Sequence, residues 1–141
     1  MKIEYHYETA YALPQPGKHT DWVIEVAHNR GFEVHHLNYI FCEDDYLLDM
    51  NRRFLNHDYY TDILTFSSEN NIGLTGDIFI SVDRVRENAG LYDVPFEEEM
   101  RRVIIHGALH LMGYDDRNES EKEAMRREEN TALQLFHVKH S

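Results

Sequence analysis

Pro95 and Gly113 bracket a long segment that reads as one helix, and its composition limits what the rest of the chain can be. Proline is favoured where a helix begins, and glycine supplies the left-handed residue that ends one. Between them, Val103-Ile104-Ile105 demands burial, so this helix must pack on something. His106 and His110 follow, four residues apart, which puts both imidazoles on one helix face within reach of one metal ion. Asp116 stands ten positions after His106, past the turn at Gly113, where a third ligand closes the site. Three protein ligands and an open position are how a catalytic zinc site is built. The spacing parallels the long zinc-protease pattern, in which a Glu directly after the first His acts as base. Here that position is Gly107, so the spacing points to a metal cage without the protease base.

The other segments are short. Residues 2–7 alternate like a strand, and after a Pro-Gln-Pro-Gly turn residues 20–30 read as a helix ending near Gly31. Val34–Cys42 reads as a strand, and residues 43–56 as a helix with Leu47, Met50 and Phe54 on one face. Residues 63–66 and 76–82 read as strands joined by a turn at Asn70-Asn71-Ile72-Gly73. A short helix over 82–89 is closed by Gly90, and the last helix starts at Asn118 or at Ser120, which with Glu123 fits a capping box. No repeat or linker divides the 141 residues, so the expectation is a single domain, 1–141. Its class is α+β: a small mixed β-sheet with helices packed on it and a metal site at the end of the long helix.

From His106 to Asp115 the chain reads His-Gly-Ala-Leu-His-Leu-Met-Gly-Tyr-Asp. This resembles the signature of the YbeY-type metal-dependent endoribonucleases, His-Gly-x-Leu-His-Leu-x-Gly-Tyr-Asp-His. Upstream, Met50-Asn51-Arg52-Arg53-Phe54-Leu55 and Thr61-Asp62-Ile63-Leu64-Thr65-Phe66 resemble two further motifs of that family, as does Gly76-Asp77-Ile78. The resemblance covers roughly residues 35–136. It implies a hydrolase that cuts single-stranded RNA in rRNA maturation and ribosome quality control, with RNA and the ribosome or its proteins as partners. It also implies one zinc ion per chain, or another divalent ion in its place. The implied catalytic residues are His106 and His110, and the implied metal ligands are His106, His110 and Asp116. Two positions depart from the pattern. Asp116 stands where the family has its third His, and Leu55 where many members carry an Arg serving catalysis or RNA contact; Arg52 and Arg53 are nearby substitutes.

A carboxylate at 116 lowers the site's charge by one relative to a third imidazole, which weakens the metal as a Lewis acid and favours harder ions such as manganese. Asp115 competes for the ligand role, but it matches the residue preceding the ligand. The free ring nitrogens of the histidines need acceptors. Asp77 is one candidate, with a turn-stabilising role as its alternative. Without an adjacent Glu, the attacking group is an ion-activated water or the RNA's own 2′-hydroxyl. Tyr59, Tyr60, Phe66 and Tyr114 are stacking candidates for unpaired bases, weighed against packing in the core.

Charge complicates an RNA reading. Fourteen basic and twenty-six acidic residues give −12, against the basic footprint expected of a tight nucleic-acid binder. Arg52, Arg53, Arg84, Arg86, Arg101, Arg102 and Arg117 fall around the motifs, whereas the acidic runs at 43–45, 97–99 and 119–129 read as solvated helix faces. A lone cysteine, Cys42, rules out an internal disulfide and suits a reducing cytoplasm. No apolar run is long enough to span a membrane, and the N-terminus lacks a signal peptide's apolar stretch. Two other functions remain: a non-catalytic, metal-binding ribosome assembly factor, and a metallopeptidase, which Gly107 opposes.

Overall fold

The computed structural model describes residues 2–57, 60–68 and 72–140. In chain order the elements are β1 (Ile3–Tyr7), α1 (Pro16–Asn29), β2 (Val34–Cys42), α2 (Asp44–Phe54), β3 (Ile63–Ser67) and β4 (Leu74–Ser81). They continue with α3 (Val82–Tyr92), α4 (Phe96–Leu111), α5 (Glu119–Leu135) and a closing π-helical turn (Phe136–His140). The strands form one sheet in the order β1-β2-β4-β3. β1 and β4 both run parallel to β2, and β3 pairs antiparallel with β4, so the sheet is mixed and the class α+β, as expected.

Alternation along the strands decides which face is which. Leu37, Tyr39 and Phe41 of β2 and Ile78 and Ile80 of β4 are fully buried and join α1, α4 and α5 in the main core. α4 lies across this face, with Ile104, Ile105, Ala108 and Leu109 wholly buried. Tyr39 donates its hydroxyl proton to the Ile104 carbonyl at 2.9 Å, which fixes the helix over the sheet and satisfies a phenol that would otherwise be buried unpaired. Gly107 permits the close approach: a Cβ there would meet Ile78 Cγ2 at 2.8 Å and Ile63 Cδ1 at 2.9 Å. The opposite face carries a smaller cluster of Cys42, Leu47 and Leu64 under α2. α5 is tied to the far side of the core by the Trp22 indole, which donates to the Ala132 carbonyl at 2.7 Å.

Several element ends differ from the sequence expectation. α1 starts at Pro16 rather than residue 20, because the second Pro of the supposed turn occupies a first-turn position, where its missing N–H costs nothing. α3 runs through Gly90 to Tyr92 and ends at Asp93, whose φ of 54° makes the left-handed turn assigned to Gly90. Pro95 is the N-cap of α4, one residue before its first turn, and Gly113 (φ 108°) turns the chain after it. Asn118, not Ser120, caps α5, accepting from the Glu121 amide at 2.9 Å. On α2 the buried residues are Leu47, Leu48 and Asn51, while Phe54 is 65% exposed. The expected turn at Asn70 and Asn71 lies outside the described residues. Among those residues, no helix is long and apolar enough to cross a membrane.

Candidate active site

α4 has two faces. Ile104, Ile105, Ala108 and Leu109 point into the core, while Glu99, Arg102, His106 and His110 line a cleft of about 690 Å³. The second set recurs at helical spacing, so a single ridge of α4 forms the cleft floor. α5 supplies the opposite wall with Lys122, Met125, Arg126 and Glu129, and the segment Thr61–Thr65 entering β3 supplies a third. Leu55, Asn88 and Tyr92 complete the rim, and Asp116 reaches in from the loop between α4 and α5.

His106 is held from both sides. Its Nδ1 is 2.7 Å from Glu129 Oε2, and its Nε2 is 3.4 Å from Asp116 Oδ2. Burial by itself would lower the His106 pKa, but the Glu129 hydrogen bond and the charges of Glu129, Asp116 and Asp62 outweigh it and raise it. Burial would likewise raise the Glu129 carboxyl; hydrogen bonds from His106 and Arg102 overcome it and lower the pKa. His110 is anchored differently. Its Nδ1 lies 3.2 Å from the Tyr114 carbonyl, made available by the turn at Gly113, and 3.9 Å from Asp115 Oδ1.

The two adjacent aspartates therefore separate. Asp116 faces His106, whereas Asp115 is engaged by Arg117 at 3.2 Å. Among the described residues, no three His, Cys, Asp or Glu side chains are gathered tightly enough to hold an ion as they stand. The donor set nonetheless fits a metal. Each ring has its Nδ1 occupied by an oxygen acceptor, which leaves each Nε2 as the nitrogen with a lone pair to offer.

The sequence missed most of this surround. Glu129 falls in a run that reads as a solvated acidic face, yet it is 6% exposed, and Glu99 is 5% exposed at the cleft floor. The signal was present: Met125, Glu129, Ala132, Leu133 and Phe136 recur on one apolar stripe, and a lone acid on such a stripe is buried. Asp44, in the first acidic run, is likewise engaged, accepting from Ser81 Oγ at 3.2 Å and from Arg84 Nε at 3.2 Å. Asp62 is a cleft carboxyl raised above the ordinary range by burial, against the pull of His106. Asp77 does not support either histidine; it accepts from the Asn38 side chain at 3.0 Å within the sheet.

The expected arginines are mostly spent elsewhere. Arg53 pairs with Asp49, Arg84 with Asp44 and Glu87, and Arg117 with Asp115 and Glu121. Arg86 and Arg101 lie over the rings of Phe96 and Phe136. Among the described residues lining the cleft, the Lys and Arg side chains are Arg102, Lys122 and Arg126. Tyr60 is 47% exposed beneath Arg84, Phe66 packs in the smaller cluster, Tyr114 packs against the main core, and Tyr59 lies outside the described residues. Tyr92, 61% exposed at the rim, is the aromatic that the motifs did not reveal.

Residues 10–137 match the family model described as Endoribonuclease YbeY. A relative named Endoribonuclease YbeY from Flavobacterium psychrophilum is 43% identical over 97% of this chain and 98% of its own length. Another of that name, from Cytophaga hutchinsonii, is 48% identical over 91% of this chain and 90% of its own. The solution structure of a Thermotoga maritima protein superimposes with a TM-score of 0.67 at 25% identity, covering 94% of this chain and 87% of that one.

Proposed function

The chain belongs to the Endoribonuclease YbeY family, and from that membership we propose that it is a metal-dependent endoribonuclease acting on single-stranded RNA. Its role would be the maturation of ribosomal RNA and ribosome quality control, carried out in the cytoplasm beside ribosomal proteins. The observation that carries the metal reading is the shared orientation of two imidazoles. Nδ1 of His106 is taken by Glu129 and Nδ1 of His110 by the Tyr114 carbonyl, one turn apart on the floor of the same cleft.

Nε2 of each histidine and the Asp116 carboxylate would hold one zinc ion per chain, which when bound supplies positive charge against the scissile phosphate. The protein's own groups do the rest. Lys122 and Arg126 on α5 offset the phosphate charge and orient the strand across the floor. Ile63, Leu64 and Val103 give the floor apolar surface beside the histidines. Asp62, a cleft carboxyl pushed up by burial, would accept the proton given up by the attacking water or 2′-hydroxyl. Tyr92 and Tyr60 offer exposed rings to unpaired bases.

Leu55 at the cleft rim, where the family pattern often has Arg, favours a second reading: a metal-binding assembly factor that does not cut RNA. A metallopeptidase is opposed by Gly107, because a glutamate there would be driven into Ile78 and Ile63 instead of the cleft.

The test is cleavage of a single-stranded RNA oligonucleotide by zinc-reconstituted protein, with zinc content measured by elemental analysis. Wild type should bind one equivalent and cut; His110→Ala should stay folded and not cut. A His106→Ala, His110→Ala double variant that cuts at the wild-type rate identifies a contaminating nuclease and overturns the assignment. Zinc binding without cleavage counts against the nuclease and favours the assembly-factor reading.

A further inference from the structure

Glu129 is an expensive residue to keep where it is. A carboxylate 6% exposed loses most of its hydration, and the ionised form survives only with strong partners. It has two. Oε2 is 2.7 Å from His106 Nδ1, and Oε1 accepts from Arg102 Nη1 at 2.8 Å. Arg102 is itself fixed, since its second terminal nitrogen donates to Asn130 Oδ1 at 2.9 Å. The result is a continuous chain, Asn130–Arg102–Glu129–His106, running from the exposed face of α5 to the floor of the cleft.

A merely structural ion pair between α4 and α5 would need only Arg102 and Glu129. Here the second carboxylate oxygen is spent on the imidazole, at the shortest of the distances His106 makes. His110 is held less closely: its Nδ1 meets a backbone carbonyl at 3.2 Å, the carboxylate of Asp115 comes no nearer than 3.9 Å, and its side chain is 39% exposed against 23% for His106. An imidazole whose Nδ1–H is held by a carboxylate has a fixed tautomer, a fixed ring plane and a more basic Nε2 than one held by a carbonyl. His106 is therefore the better-organised donor of the pair, and that organisation comes from α5.

We propose that Glu129 is the positioning residue of the metal site: oriented by Arg102, it holds the His106 ring with Nε2 facing Asp116 and makes His106 the dominant nitrogen donor. This rests on the metal reading above and assigns a role to a residue outside the signature motif.

The experiment compares zinc affinity, by titration against a competing chelator, for wild type, Glu129→Gln, Glu129→Leu and Arg102→Gln, with thermal melts of each metal-free protein. Imidazole nitrogen NMR of the same metal-free samples reports the His106 tautomer. Zinc affinity should fall 10- to 100-fold in Glu129→Leu, the range for losing such a partner. Glu129→Gln, which keeps an acceptor oxygen without the charge, should fall less, and Arg102→Gln least. The wild-type His106 signal should report an Nδ1-protonated ring, and Glu129→Leu should lose that preference. Wild-type affinity and tautomer in folded Glu129→Gln and Arg102→Gln would overturn the role even if Glu129→Leu fails to fold. A wild-type protein that takes up no zinc would instead overturn the metal reading, in the first titration of the series.

Discussion

The two faces of α4 are built by opposite means. The face on the sheet carries Ile104, Ile105, Ala108 and Leu109, each 0% exposed, and is held by area and shape. The cleft face carries Glu99, Arg102, His106 and His110, and is held by a few directional bonds to α5 and to the loop after Gly113. One face tolerates no change of volume; the other tolerates no change of donor or acceptor. A helix can serve both only because its two periodic rows do not mix, and Gly107, between the histidines, belongs to the core row.

The largest effect should come from the core row. Ile104→Ala should cost about 2–5 kcal/mol in denaturant unfolding, as transfer and cavity terms add. Zinc affinity per folded molecule should be unchanged; a parallel loss of affinity would show that the faces are not separable.

Second is the pH dependence of the metal-free protein. The His106 pKa is raised above its ordinary 6.5, so its stabilisation is fully present below that value and is lost as pH rises through the folded-state pKa. The Glu129 pKa is lowered from 4.5, so its contribution is present above that value and is lost as pH falls through the folded-state pKa. Between about pH 4.5 and 6.5 the pair is fully charged and contributes most, about 1.5–3 kcal/mol for a hydrogen bond between charged groups. Thermal melts across pH should lose this contribution on either side of the window in wild type and not in Glu129→Gln. Zinc binding should run the other way, strengthening as His106 loses its proton.

The third effect sharpens the cleft row. Asp116→Ala should weaken zinc binding at least 10- to 100-fold by chelator titration, since a direct ligand is a stronger tie than the outer partners for which that range is known. Asp116→His should shift preference from manganese toward zinc and move the pH–rate profile to lower pH. If Asp116 only shapes the loop, both variants keep wild-type affinity. The smallest effect is Asn118→Ala. Losing the N-cap of α5 should cost about 0.5–2 kcal/mol in a thermal melt while leaving the Glu129–His106 contact in place, because Glu129 lies several turns further on.

These faces were not equally visible in the sequence. The bounds of β2, Val34–Cys42, are legible in the sequence, because an apolar run between breakers has few alternatives. The long helix and its bracketing Pro95 and Gly113 were read nearly as found, and the family motif pointed to His106, His110 and Asp116. What failed shares one cause. Phe54 looks like core by spacing, yet it stays 65% exposed and meets only the edge of Phe66 among the described rings; Glu129 looks like surface by charge, yet Arg102 and His106 receive it. Periodicity along one element says which residues share a face, and only the neighbouring element says what that face meets.

The same arrangement has a consequence for the timing of synthesis. α5 is translated after every other wall of the cleft, and it brings both Glu129 and the Ala132 carbonyl that receives the Trp22 indole of α1. Until that helix docks, His106 lacks its clamp and α1 lacks a partner for a buried N–H. A nascent chain thus carries the histidines before it carries an organised site, and the cleft becomes competent only once α5 has been made and has docked.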